Sequence, residues 1–188
     1  MRVISGRAKG ALLRASAPGV RPTSSRVRNA LFSALGPGAI CGLRVLDLYA
    51  GTGSIGIEAL SRGADFARFV ERNRRQCESI RESLEASRFS DQAGVSCMTV
   101  KKYLQSAEGP FDLVIADPPY SASNAAEILA ELVTRGLVRS GADIILEHSS
   151  RDSAPQPSGL LLSSSRRYGD TTLSFYSPSS DTEPERRP

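Results

Sequence analysis

The stretch DLYAGTGSIGIEAL, Asp47–Leu60, decides the fold. The run LRVLDLY that leads into it reads as a buried strand, and SIGIEALSR reads as a helix with Gly63 in the stop position. Between them Gly51, Gly53 and Gly56 keep the G-x-G-x-x-G spacing, and a strand that enters such a loop and leaves as a helix is the setting of a nucleoside-binding turn. Glu71, at the end of the next predicted strand, DFARFVE, is placed to bind ribose hydroxyls. The glycine spacing also fits a purely structural turn, and the local charge narrows the choice of ligand. A dinucleotide sets its pyrophosphate on the helix N-terminus, where amides and dipole favour an anion. Asp47, four residues before Gly51 at the same strand end, repels one. S-adenosylmethionine has no phosphate and carries an ammonium and a sulfonium, so Asp47 favours the methyl donor over NAD. A carboxylate that merely pins the loop by accepting backbone N–H bonds is compatible with either.

Outward from this turn, strand-like and helix-like segments alternate. NRRQCESIRESLEASR is a predicted helix with Cys77, Ile80 and Leu84 on one face, GVSCMTV and FDLVIAD are strands, a helix surrounds Ile128, Leu129, Leu132 and Val133, and ADIILEH is a strand. Such alternation predicts an α/β fold, a parallel sheet with helices on both faces. GLLLSSSRRYGDTTLSFYS differs in kind: two strand-like runs meet across YGDT and read as a hairpin closing one edge of the sheet. Before the central turn, RVISGRAKGALLRA reads as two short strands around a glycine turn. PGVRPTSS then breaks the chain, and from Ser24 the spacing of Val27, Ala30, Leu31, Ala34 and Leu35 predicts a helix ended by GPG at 36–38. The 188 residues suit one α/β domain. The expected division is a basic N-terminal hairpin arm over 1–22, a catalytic domain over 23–177 and a polar, Pro-rich, disordered tail over 178–188.

Charge is unevenly spread. No Asp or Glu occurs from Met1 to Leu46, where Arg2, Arg7, Lys9, Arg14, Arg21, Arg26, Arg28 and Arg44 all fall. A one-signed block in an otherwise mixed chain is the footprint of a phosphate-bearing partner; the bland alternative is a solvated basic face. Arg21, Arg26 and Arg28 cluster at a predicted helix N-terminus, where cations oppose the macrodipole at about 0.3–1 kcal/mol each. Helix amides and arginines together make an anion site there. Cys41, Cys77 and Cys97 are too scattered for a disulfide frame or a zinc site, and His148 is the one histidine, so no metal is expected. No run is apolar enough for a signal sequence or a membrane span, and the expected compartment is the cytoplasm.

FDLVIADPPYS, Phe111–Ser121, carries the remaining chemistry. Side chains at the carboxyl end of a parallel strand face the ligand crevice. Proline has no N–H and a fixed φ, so Pro118 and Pro119 stop the strand and leave nearby carbonyls free to accept. Asp117 and the Pro118 carbonyl make a pair of acceptors on a stiff loop, and Tyr120 adds a flat face. Two acceptors and an aromatic plate suit the NH₂ of a nucleobase. The alternative is a turn with a solvated Asp and a packing Tyr.

With GVRPTSSRVRNALFSAL, LDLYAGTGSIGIEALSRGA, VERN, ADPPY and RRYGDTTLSFY in view, the sequence resembles the RsmD-type methyltransferases from about Val3 to Tyr176. The glycine loop and DPPY occur in many amino-methyltransferases, whereas RPTSSRVRNALF and YGDT narrow the choice. The resemblance implies a Rossmann-like class I fold: a seven-stranded, mostly parallel sheet with an antiparallel C-terminal hairpin, preceded by a short N-terminal hairpin. It implies transfer of methyl from S-adenosylmethionine to the exocyclic N2 amine of a guanine in 16S ribosomal RNA. The substrate would be the assembling small subunit and the enzyme a monomer. Carried over by position, Asp47, Tyr49, Gly51, Gly53, Glu71 and Arg72 hold the donor, and Asp117, Pro118 and Tyr120 hold the guanine. Arg7, Lys9, Arg21, Arg26 and Arg28 grip RNA. One departure stands out: where such enzymes commonly have Asp or Asn near the adenine amine, CMTVKKYL offers the Thr99 hydroxyl. Adenine N6 as acceptor, an NAD-dependent oxidoreductase and a catalytically silent RNA-binding assembly factor are the competing readings. Glu147 and His148, at the end of a strand, read as structural.

Overall fold

In a computed structural model of the protein, which describes residues 1–14, 25–119 and 124–179, seven strands form one sheet in the order β3-β2-β1-β4-β5-β7-β6. β1 (Arg44–Leu48) is central, with β2 (Phe66–Glu71) and β4 (Phe111–Ala116) parallel on its two sides. β3 (Ala93–Cys97) lies parallel outside β2, and β5 (Val138–Ser149) parallel outside β4. β6 (Leu160–Tyr168) and β7 (Thr171–Pro178) form the predicted hairpin, with β7 inserted antiparallel between β5 and β6. The register sets Leu48 beside Val70 and Ala116, Glu71 beside Cys97, and Ala116 beside Leu146. The carboxyl ends of the five parallel strands therefore share one edge, and the strand order reverses between β1 and β4. In sheets of this kind that reversal is where ligands bind.

Each central strand is apolar on both faces, as a sheet covered twice requires. Val45, Phe69, Leu113, Ile115 and Ile145 face α1 (Ser25–Leu35), α2 (Ser54–Ser61) and α3 (Arg74–Ala86). Leu46, Leu48, Val70, Val114 and Ile144 face α4 (Val100–Ser106) and α5 (Ala125–Thr134). All eight residues of α2 are buried. Gly56 makes that seat possible: a Cβ there would stand 2.3 Å from the Phe69 ring. The third glycine of the motif is thus a helix-to-sheet contact.

Three expectations change, and one holds. The strand read through GVSCMTV stops at Cys97, and Thr99 instead caps α4, its Oγ1 accepting from the Lys102 N–H at 3.3 Å. Helix α4 is absent from the sequence reading because its seven residues are too few to show a period. The short N-terminal hairpin is present in the described residues: Arg2 and Leu12 form an antiparallel bridge, and the Val3, Gly10 and Leu13 N–H groups donate to the Ala11, Val3 and Met1 carbonyls at 3.0, 3.0 and 2.9 Å. Its Ile4, Ser5 and Ala8 amides reach α2, and Val3 and Leu13 are buried in the same core as α1–α3, so the hairpin is docked on the domain. At the other end β7 includes Pro178, and the Ser179 N–H donates to the Gly159 carbonyl, so the predicted tail loses its first two residues to the sheet edge. Residues 180–188 lie outside the described residues. Among the described residues no helix is long and apolar enough to cross a membrane.

Candidate active site

The glycine loop leaves β1 by a chain of left-handed residues, Tyr49 (φ 60°), Gly51 (φ 53°) and Gly53 (φ 70°). A tyrosine in that region costs about 1–2 kcal/mol, so the surroundings must hold it there. They do so through backbone and carboxylate bonds. The Ala50 N–H donates to Val70 O at 3.0 Å and Gly53 N–H to Ala50 O at 2.7 Å. Glu71 accepts from Gly51 N–H at 2.9 Å through Oε2 and from Asn73 N–H at 2.7 Å through Oε1. Asn73 then caps α3 through Arg75 and Gln76 N–H. Below the loop, Asp47 Oδ2 accepts from Gly56 N–H at 2.9 Å. The pinning role foreseen for Asp47 is therefore real, and it leaves the other carboxylate oxygen uncommitted.

The electrostatics of Asp47 are one-sided. Burial pushes its carboxyl up to about 7; the Gly56 N–H works against that rise, and the nearby Asp117 and Glu71 carboxylates add to it. Neither Asp47 nor Glu71 forms an ion pair within 4.0 Å among the described residues. Burial also raises the Tyr49 phenol. Asp117 stands half-buried where β4 ends, its N–H reaching Leu48 O at 3.4 Å across the switch point. Pro118 is buried and Pro119 exposed. Three carboxylates, drawn from β1, β2 and β4, converge on one glycine loop.

Of the residues singled out from sequence, Asp47, Tyr49, Gly51, Gly53, Glu71, Asp117 and Pro118 meet along this edge. Thr99 follows β3, two residues beyond Cys97, at the same edge. Arg72 is exposed just after Glu71. Tyr120 and Arg21 lie outside the described residues. Lys9 and Arg26 are exposed on the N-terminal segment and α1, and Arg7 is exposed but tied back to Leu60 O, Gln92 and the face of Phe89.

Arg28 is a correction. It is 1% exposed, donates to Arg2 O at 2.7 Å and to Met1 Sδ at 2.8 Å, and faces Glu58 at 4.0 Å, so it cannot meet a phosphate at the surface. A charge count misses this because periodicity places Val27 and Leu31 inward and Arg28 beside them. The partner is legible in the sequence: Glu58 is a lone acid within the apolar helix SIGIEALS. Glu147 is buried, and His148 is held by Ser149 O and Ser174 Oγ, the latter at 2.8 Å. A carbonyl only accepts, so Nδ1 of His148 carries the proton that it donates to Ser149.

The family model described as "Conserved hypothetical protein 95" matches residues 1–177. YlbH of Bacillus subtilis is 33% identical over 181 residues, 94% of this chain and 98% of its own. Ribosomal RNA small subunit methyltransferase D of Escherichia coli K12 is 32% identical over 156 residues, 82% of this chain and 78% of its own. The solved structure of hypothetical protein TTHA0928 from Thermus thermophilus superposes with a TM-score of 0.80 at 30% identity, covering 93% of this chain and 98% of that one. Methyltransferase D and this sheet order agree with the Rossmann-like class I architecture expected from the motifs.

Proposed function

Because the chain belongs to the conserved hypothetical protein 95 family, the RsmD family, we propose that it transfers a methyl group from S-adenosylmethionine to the exocyclic N2 amine of a guanine in 16S ribosomal RNA. The observation that carries the reading is the convergence of Asp47, Glu71 and Asp117 on the glycine loop. Such a cleft disfavours a pyrophosphate and favours a cationic ligand, which separates the methyl donor from NAD. The donor, when bound, supplies an electrophilic methyl group; the protein binds and orients. Glu71 keeps a lone pair on each oxygen beyond those given to Gly51 and Asn73, enough for two ribose hydroxyls. Tyr49, Arg72 and Thr99 complete the donor side.

On the acceptor side, Asp117 and the Pro118 carbonyl hold the two hydrogens of the amine. A nucleobase amine attacks poorly because its lone pair is delocalised into the ring; fixing both hydrogens turns that pair toward the methyl carbon. Orientation of this kind is worth roughly 7–11 kcal/mol in favourable cases, so no covalent nucleophile is needed. Asp117 then takes the proton released from the methylated amine, directly or through water. Stacking on Tyr120 adds about 1–3 kcal/mol. Lys9, Arg21 and Arg26 hold RNA phosphates, and Arg7 stiffens the segment that carries Lys9. The enzyme acts in the cytoplasm as a monomer, on a guanine presented by the assembling small subunit.

Incubation with S-adenosylmethionine and either free 16S RNA or unmethylated small subunits, followed by mass analysis of nucleosides, tests this. N2-methylguanosine is the expected product, with Asp117→Asn losing it. N6-methyladenosine, or no methylation in either substrate, overturns the reading.

A further inference from the structure

At the opposite edge of the sheet from the glycine loop, two arginines crowd one aromatic ring. Arg44 opens β1 and Arg68 lies in β2; their guanidinium carbons stand 5.0 and 5.3 Å from the Phe66 centroid, and Arg44 also stands 5.7 Å from that of Phe111. Both side chains are half-buried, and neither guanidinium has a carboxylate within 4.0 Å among the described residues. Asp112, the nearest acid in sequence to this edge of β4, is engaged by Arg139 and by the Arg44 backbone N–H. Exposed Glu108 lies near Tyr103 but forms no ion pair among the described residues, and Lys101 and Lys102 of α4 add positive charge. Two like charges share one ring, and the cation–π attraction that holds them there is weak at a partly solvated site.

Two further features show that the site is built. Gly94, in β3, has an ordinary backbone, yet a Cβ on it would stand 2.2 Å from Arg68 Nη1, so the missing side chain is the space the guanidinium occupies. Glycine inside a strand weakens it, and here the strand gains only the seating of Arg68. Beneath the arginines, Tyr103 is 6% exposed, and its hydroxyl lies beside the Arg68 guanidinium, which has no lone pair with which to accept its proton. A buried hydroxyl with no acceptor is unfavourable unless a ligand completes it.

We infer that Arg44 and Arg68, with the Tyr103 hydroxyl behind them, form a phosphate site at the amino-terminal edge of the sheet. The two guanidiniums donate to the phosphate oxygens, and one of those oxygens supplies the acceptor that the Tyr103 O–H lacks. The site is remote from the crevice and does not depend on methyl transfer.

The test titrates inorganic phosphate into the full chain while following the arginine Nε–H and Tyr103 ring resonances. Saturable shifts at Arg44, Arg68 and Tyr103 are expected. Arg44→Gln and Arg68→Gln should each weaken binding about tenfold or more, as loss of a charge-assisted bond does. Gly94→Ala keeps every arginine and should weaken phosphate binding similarly by displacing Arg68, while S-adenosylhomocysteine binding in all three variants stays as in the parent. Absence of saturable shifts, or phosphate affinity unchanged in the three variants, overturns the inference. A second arm identifies the source of the phosphate. If it belongs to an RNA backbone, Arg68→Gln lowers the slope of log affinity against log salt for an RNA oligonucleotide by about 0.7–0.9. An unchanged slope alongside phosphate binding assigns the site to free phosphate or a nucleotide.

Discussion

Asp47 and Glu58 are both buried carboxylates of one strand-loop-helix unit, and they are treated in opposite ways. Glu58 is fully enclosed and surrounded by donors: Ile4 N–H at 2.7 Å, Ser5 N–H at 3.0 Å, Arg62 Nε at 2.8 Å, and Arg28 at 4.0 Å. Asp47 receives one amide, from Gly56, and faces two further acids. The fold therefore neutralises the acid that fastens the N-terminal segment and α1 to α2. It gives Asp47 no such set of donors. One buried carboxylate ties elements together and the other pins the glycine loop with an oxygen to spare, although only that loop and the first turn of α2 separate them.

The largest expected effect lies on the structural side. Glu58→Gln leaves Arg28 buried with no counter-charge and puts an amide NH₂ against one of the Ile4 and Ser5 N–H groups. Breaking a buried pair in this way costs about 3–5 kcal/mol. Urea denaturation should show that loss, and Arg28→Met in the same background should recover part of it by removing the stranded charge. A loss below about 1 kcal/mol would mean that Glu58 is no better compensated than Asp47, and the contrast would fail.

Asp47 should respond with the opposite sign. Its folded value near 7 lies above its ordinary value of 3.8, so the folded protein holds a proton there that the unfolded chain releases. Its contribution to stability is fully present below about pH 4 and is lost as pH rises through about 7, a difference of up to about 4 kcal/mol. Asp47→Asn keeps an acceptor for Gly56 and removes the charge, so it should be more stable than the parent above pH 7 and nearly equal to it near pH 4. Binding of S-adenosylmethionine runs the other way. A cation favours the ionised carboxylate, so parent affinity should rise with pH and level off above about 7, by about tenfold per unit below that point. Calorimetry at several pH values checks this; a flat profile in the parent, or one that Asp47→Asn leaves unchanged, would remove Asp47 from donor binding.

These two carboxylates also show what the sequence makes legible. Asp47, Gly51, Gly53, Glu71 and Asp117 are readable because strand ends and a glycine loop place side chains by simple rules, and the register sets them along one edge. The hairpin across YGDT is readable for the same reason, two alternating runs around a turn. Arg28 is misplaced by such rules because a basic residue in a basic stretch looks like its neighbours. Only the tertiary partner Glu58, in a different helix, distinguishes it from Arg26. The N-terminal hairpin is readable too, but local pattern cannot reveal that its Ile4 and Ser5 amides are satisfied by Glu58 of another element. Helix α4 is hidden by its shortness, and with it the capping role of Thr99.

The smallest expected effect repeats the contrast at the scale of two glycines. Gly56 donates to Asp47 and abuts Phe69, so Gly56→Ala forces the ring or the helix aside and should cost about 1–3 kcal/mol, with donor binding falling only as the loop shifts. Gly51 donates to Glu71 and has φ 53°, but a Cβ on it meets nothing nearer than Tyr49 O at 3.8 Å. Gly51→Ala should therefore lose only the left-handed penalty, about 1–2 kcal/mol. Its Cβ would nonetheless enter the open space above the loop, so S-adenosylmethionine affinity should drop more than in Gly56→Ala. Denaturation and calorimetry on the pair make the comparison. If Gly51→Ala binds the donor as the parent does while Gly56→Ala does not, the ligand approaches from some other side, and the excess negative charge around Asp47 needs a different partner.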